Sequence, residues 1–301
     1  MPDSRFRLEI ADRVARLTLD RPAQMNAIDP PFWRELDDIL ATLQRDAPAR
    51  ALVLDATGKH FCAGMSLDAF SSSIALDDSS AAARANIAPM LADMQRTLDR
   101  LAELRMPVLA AIQGGCVGGG VDLVCAADMR YGSRDAFFCV QEINIGMAAD
   151  LGTLQRLPKL IPEGIARELA YTGRRLPAER ALALGLVNEV FDDADAMLAG
   201  VMQVAREIAA KPPVAVWASK QAIDYARDHS VADGLRQMGW LQSGLWDTTA
   251  VAEAIRARAQ KREPSFPDLV PLRYFTDAAD APRRAGAGAG ADTDSDPARR
   301  S

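Results

Sequence analysis

A chain of 301 residues, 49% hydrophobic and 25% charged, can bury a large core, which excludes wholesale disorder. Its net charge of −6 argues against a general binder of nucleic acid or anionic membranes, while leaving room for a local basic pocket that meets a phosphate-bearing ligand. Cys62, Cys116, Cys125 and Cys139 form no CxxC pair, and only His60 and His229 could join them. That pattern argues against a zinc site and reads as reduced thiols in a cytoplasmic protein. No apolar run is long enough to span a bilayer, and the charged start MPDSRFRLE lacks the apolar stretch of a signal peptide.

Phe6, Leu8 and Ile10, and then Ala15, Leu17 and Leu19, alternate with polar residues about a turn at Ala11–Arg13, which predicts a hairpin. After the loop RPAQMNAIDPP, Asp29-Pro30-Pro31 starts a helix whose buried face carries Phe32, Leu36, Ile39, Leu40 and Leu43. Ala51 to Leu54 reads as a buried strand, followed by the aperiodic ATGKHFCAGMSL and a Ser/Ala/Asp-rich loop over 71–86. Ile87, Met90, Leu91, Met94, Leu98 and Leu101 define a long amphipathic helix that stops near Pro107. A strand over Val108–Ile112 then breaks into Gly114, Gly115, Gly118, Gly119 and Gly120 before an apolar helical turn, Val121 to Ala127.

Beyond residue 157 the pattern is helical: Pro162 to Thr172, Pro177 to Leu184, Asp193 to Ala210 and Pro213 to Asp228. A helix with Leu235, Met238, Leu241 and Leu245 as its core stripe follows, and then one from Val251 to Lys261. Alternating strands and helices point to an α/β core of βαβ units. Residues 264–301, rich in Pro, Gly, Ala, Asp and Arg, lack apolar periodicity and read as a disordered tail after a domain spanning 1–263.

The glycine break is where chemistry concentrates. Glycines between a strand and a helix admit close backbone approach and leave amide N–H groups unpaired. Asp122, Glu142 and Asp150 follow in mostly apolar company. Exposed amides stabilise a developing oxyanion, and poorly solvated carboxylates move protons. Each residue also has a plainer structural explanation. Asp122 could be a helix N-terminal acid, Glu142 a salt-bridged surface group, and Asp150 the cap of a helix starting at Leu151. His60 reads as a loop residue, and His229 as a partner for a helix C-terminus.

Four segments in order and spacing, LDRPAQMNAID, HFCAGMSL, GGCVGGGVDL and QEINIGMAADLGTLQRLPK, resemble the crotonase (enoyl-CoA hydratase/isomerase) superfamily. FWREL and the run DAFFCVQEINIGMAADLGTLQRLPK resemble its dienoyl-CoA isomerase branch. The resemblance covers roughly residues 5–266. It implies a ββα spiral core over about 5–200, a helical C-terminal region over about 201–263, and a homotrimer or homohexamer with subunit contacts on the last helices.

It also implies an acyl-CoA substrate and no separate cofactor or metal. The thioester would lie along Ala63, Gly64, Met65, Ser66 and Leu67, with its oxygen between the Met65 and Gly119 amides and Gly120 alongside. Glu142 would be the base at C2. Asp122, where hydratases carry Glu, would support it, and Asp150 would serve the far end of a conjugated chain. The reaction so implied moves a 3,5-dienoyl-CoA to a 2,4-dienoyl-CoA. A 2-enoyl-CoA hydratase using Asp122 and Glu142, and a non-catalytic acyl-CoA-binding protein, are the alternatives. Ser66 and Asp68 depart from the residues many relatives carry, and Arg21 and Lys59 are the candidate cations for the CoA phosphates.

Overall fold

The computed structural model describes residues 4–66, 77 and 79–274. Leu67, most of the expected 71–86 loop and residues 275–301 lie outside the described residues. The first hairpin is β1 (Phe6–Ala11) and β2 (Val14–Leu19), joined through Asp12 and Arg13 at φ 51° and 64°. Two left-handed central residues are what a tight turn needs if it is to match the strands' twist. Helix α1 (Pro30–Asp46) begins as expected, with the Asp29 carboxylate accepting from Phe32 N at 3.2 Å.

Next come β3 (Ala51–Ala56), a short α2 (Ala81–Arg84) and α3 (Ile87–Ala102). They lead into β4 (Val108–Ile112), β5 (Gly115–Val117), α4 (Gly119–Cys125), β6 (Met129–Ser133) and β7 (Phe137–Cys139). The chain continues through α5 (Thr153–Arg156), α6 (Glu163–Thr172), β8 (Leu176–Pro177), α7 (Ala178–Ala183) and β9 (Glu189–Phe191). It finishes with α8 (Ala194–Ala209), α9 (Pro213–Asp228), α10 (Val231–Leu245) and α11 (Thr248–Ala259).

The strands build two sheets. The larger has order β1-β2-β3-β4-β6-β9, parallel throughout except for β1 against β2, and the smaller has order β5-β7-β8. Successive strands thus leave one sheet for the other and return, the winding expected of the spiral core. Five of these strands were not legible as strands in the sequence, because two or three residues, or MRYGS with its glycine, carry no readable period.

Burial on both faces makes the central strands continuously apolar. Leu52, Leu54, Val108, Ala110 and Ile112 face α1, α3 and α4, whereas Ala51, Val53, Leu109 and Ala111 pack on Met197, Val201 and Ala205 of α8. So α8 belongs to the sheet core, although the sequence placed residues from 201 onward in a separate helical region.

Two further expectations change. The stripe Leu235, Met238, Leu241 and Leu245 is not core: α10 buries no residue within the chain, and Leu235, Trp240 and Trp246 are exposed. Its periodicity is real, and α9 packs beside α10 with Ala226 against Gly234, but Met238, Leu241 and Leu245 are left only half-buried. Residues 264–274, assigned to the tail, run as an extended strap against the body, with Phe266 buried. The buried Arg50 holds it through Asp268 Oδ1 (2.6 Å) and Phe266 O (2.5 Å), and Arg105 reaches Val270 O at 3.2 Å. Composition missed this because the fastening groups are arginines far away in sequence. Among the described residues no helix is long and apolar enough to cross a membrane.

Candidate active site

The site forms where the β5–α4 turn meets the loop after β3. Gly118 sits at φ 52°, and its carbonyl accepts from Val121 N and Asp122 N, which starts α4. The β3 loop is laid against the residue 25–28 segment by Ala63 N to Met25 O (3.0 Å), Ile28 N to Gly64 O (2.9 Å) and Ser66 N to Ile28 O (2.8 Å). Gly64 takes φ +85°, and a Cβ there would lie 2.8 Å from Val117 O, so the two glycine loops touch backbone to backbone. A Cβ on Gly119 would meet Ile28 Cδ1 at 2.9 Å and lie 4.0 Å from Met65 Cγ. Met65 and Gly119 are thereby brought to one place, and neither amide donates to an acceptor among the described residues.

The carboxylates converge on the same turn. Glu142 opens a 3-10 helix, Glu142–Ile145, directly after β7, and its Oε1 would lie 3.3 Å from a Cβ on Gly118. Its Oε2 is buried with no hydrogen-bond partner. Burial pushes the Glu142 carboxyl up to about 7, against a local pull from its own backbone N–H, and the nearby charges of Asp122 and Asp150 add to the rise.

Asp122 is 1% exposed, and its Oδ1 accepts from Thr153 N at 2.6 Å. Burial raises it to about 6, opposed by the Thr153 hydrogen bonding and assisted by Asp150. The Thr153 hydroxyl is itself buried without a partner. Asp150 is half-buried and also raised by desolvation. It does not cap a helix: α5 starts at Thr153, Gly152 stands at its N-cap position at φ 127°, and the carboxylate at that end belongs to Asp122.

Asp122 and Glu142, chosen from sequence, lie at the glycine turn that carries Gly119 and Gly120, and Asp150 is near enough for its charge to raise both. Leu67 lies outside the described residues. Thr153, Gln95 and Arg156 were missed; none belongs to a glycine or acid pattern, and only three-dimensional packing reveals them. Of the phosphate candidates, Arg21 is engaged with Asp29 at 2.6 Å, whereas Lys59 forms no ion pair among the described residues. His60 Nδ1 accepts from Gly115 N at 2.9 Å, a structural duty within the glycine turn. His229 ends α9, stacked on Tyr225 with its Nδ1 2.8 Å from Tyr225 O. Two surface cavities, of about 430 and 290 Å³, lie beside Lys59 and Asp192 and beside Thr153 and Tyr171; no carboxylate of the trio lines either.

Amides without acceptors and acids of raised pKa gathered around one glycine turn are the kind of groups that can support enolate chemistry on an acyl compound. The chain belongs to the enoyl-CoA hydratase/isomerase family, whose model matches residues 9–269, and so lies within an enzyme family of the crotonase superfamily. It is 40% identical over 253 residues to the mitochondrial Δ(3,5)-Δ(2,4)-dienoyl-CoA isomerase of Homo sapiens, covering 83% of this chain and 77% of that one. It is 38% identical to the peroxisomal Δ(3,5)-Δ(2,4)-dienoyl-CoA isomerase of Arabidopsis thaliana, covering 85% and 93%. The crystal structure of enoyl-CoA hydratase from Bacillus anthracis superposes with a TM-score of 0.80 at 29% identity, covering 87% of this chain and 99% of that one.

Proposed function

We propose that the protein isomerises 3,5-dienoyl-CoA to 2,4-dienoyl-CoA in the breakdown of unsaturated fatty acids. The thioester oxygen is held by the Met65 and Gly119 amides, with Gly120 alongside. Glu142 removes a proton from C2, and the resulting anion spreads from the thioester oxygen to C6. Asp150 delivers a proton at C6, so the double bonds move from C3 and C5 to C2 and C4. One proton leaves and one returns, so the scheme needs no oxidant, metal or separate cofactor. Asp122 holds the Asp150 loop through Thr153 and raises Glu142 by its charge. Lys59 is the better candidate for the CoA phosphates, since Arg21 is neutralised by Asp29.

The observation carrying this reading is a second half-buried acid: Asp150 stands near enough to Glu142 for its charge to raise it, and it does not cap α5. The dienoyl-CoA isomerase names of the relatives support the same choice. Hydration would need Asp122 free to hold water, and its Oδ1 is committed to Thr153. A trimer or hexamer in the cytoplasm completes the proposal, its assembly supported by the exposed apolar residues of α10.

The test follows absorbance with 3,5-dienoyl-CoA and crotonyl-CoA offered separately. The wild type should convert the dienoyl ester, and Asp150→Ala should lose that activity by about 10²–10⁴-fold while still binding CoA. Full activity in the variant, or turnover of crotonyl-CoA alone, would refute the assignment.

A further inference from the structure

Nothing in the loop that carries Asp150 is regular: Met147 to Leu151 belongs to no helix or strand. A carboxylate on irregular backbone holds its place only if that backbone is fixed from outside. Three bonds do so. Gln95 Nε2 of α3 donates to the Asp150 carbonyl at 2.7 Å. Arg156 donates to the Leu151 carbonyl at 3.4 Å and pairs with Asp99 of α3. Thr153 N donates to Asp122 at 2.6 Å. Gln95 and Asp99 are four residues apart and so lie on one face of α3, one turn from each other.

Gly152 shows how tight the grip is. It stands at φ +127°, and a Cβ there would fall 2.0 Å from Arg156 Nη1. The guanidinium lies across the loop where any larger residue would displace it. Of these contacts, the Gln95 bond alone ends on Asp150 itself.

We propose that Gln95, seconded by Asp99 through Arg156, is a positioning residue that sets the far proton donor Asp150 relative to Glu142. The inference rests on the isomerase reading and adds to it a division of labour. Glu142 is placed by the glycine turn, and Asp150 by helix α3. Loss of the Gln95 donor should therefore impair proton delivery at C6 and leave proton removal at C2 intact.

The experiment runs the wild type, Gln95→Met and Asp99→Asn on a 3,5-dienoyl-CoA in D₂O. It reads isomerisation by absorbance and deuterium uptake at C2 of recovered substrate by NMR. Gln95→Met keeps the side chain's length and removes its hydrogen bonding. It should lower kcat for isomerisation by about tenfold or more, since small displacements at a reacting group are costly. KM and C2 exchange should stay within about twofold of wild type, because neither uses the far donor. Asp99→Asn lies at a half-exposed side chain, so it tests the same grip even if Gln95→Met folds poorly, and it should shift the ratio of isomerisation to exchange in the same direction. Unchanged isomerisation in both variants, or a parallel fall of isomerisation and exchange, overturns the positioning role while the isomerase reading stands. A wild type that exchanges C2 but never isomerises overturns both.

Discussion

At the scale of single residues, burial without partners is what turns ordinary acids into useful ones. Glu142 titrates near 7 instead of near 4.5 because water is withheld and two acids stand close. A base must be ionised to act, so kcat/KM for dienoyl isomerisation should rise with pH through about 7. A profile already flat from pH 5 upward would show that Glu142 is not the group being titrated.

Asp122 gives the companion stability effect. Its folded value, about 6, lies above the ordinary 3.8, so the folded state binds the proton more tightly. The neutral form's contribution is fully present below 3.8 and is lost as pH rises through about 6. The shift corresponds to about 3 kcal/mol at neutral pH and above. Asp122→Asn keeps an acceptor for Thr153 N without the buried charge. It should therefore raise the urea midpoint at pH 8 and leave it nearly unchanged at pH 4.

At the scale of elements, the site depends on two loops that approach closer than side chains would allow. Gly64→Ala forces a Cβ toward Val117 O at a left-handed φ, which should cost about 1–3 kcal/mol of stability. By displacing the Met65 amide it should also lower turnover on the order of a hundredfold, as loss of one oxyanion donor does. Thermal melting and steady-state kinetics on the same preparation check both.

These loops explain what the sequence revealed and what it hid. GGG before VDL is a local signal, readable because glycine restricts backbone use, whereas the acids at 122, 142 and 150 each had a plainer structural reading and were singled out by the resemblance. The hairpin, α1, β3, β4 and the later helices were legible from period and capping. The strands β5, β7, β8 and β9 were hidden by brevity, and their pairing depends on segments far away in the chain. Gln95 was hidden for a different reason: it flanks the apolar stripe of α3, where a polar residue draws no notice until its partner across 55 positions is seen.

At the scale of the molecule, the C-terminal strap shows that composition can mislead at a boundary. Arg50 is buried, and its guanidinium is satisfied by Asp268, Ala209 O and Phe266 O together. Arg50→Leu should destabilise the chain by about 2–3 kcal/mol, because the Ala209 and Phe266 carbonyls lose their donor while the exposed Asp268 carboxylate returns to water. Denaturant unfolding would measure it, and a loss below about 1 kcal/mol would mean that the strap contributes little.

The 218 positions between Arg50 and Asp268 also order events in time. A ribosome making roughly 5–20 residues per second finishes β3 on the order of ten to forty seconds before the aspartate arrives. Through that interval Arg50 lacks the Asp268 carboxylate and the Phe266 carbonyl, so the final packing around it waits for the strap. Completion of the fold is tied to nearly the last part of the domain to be translated.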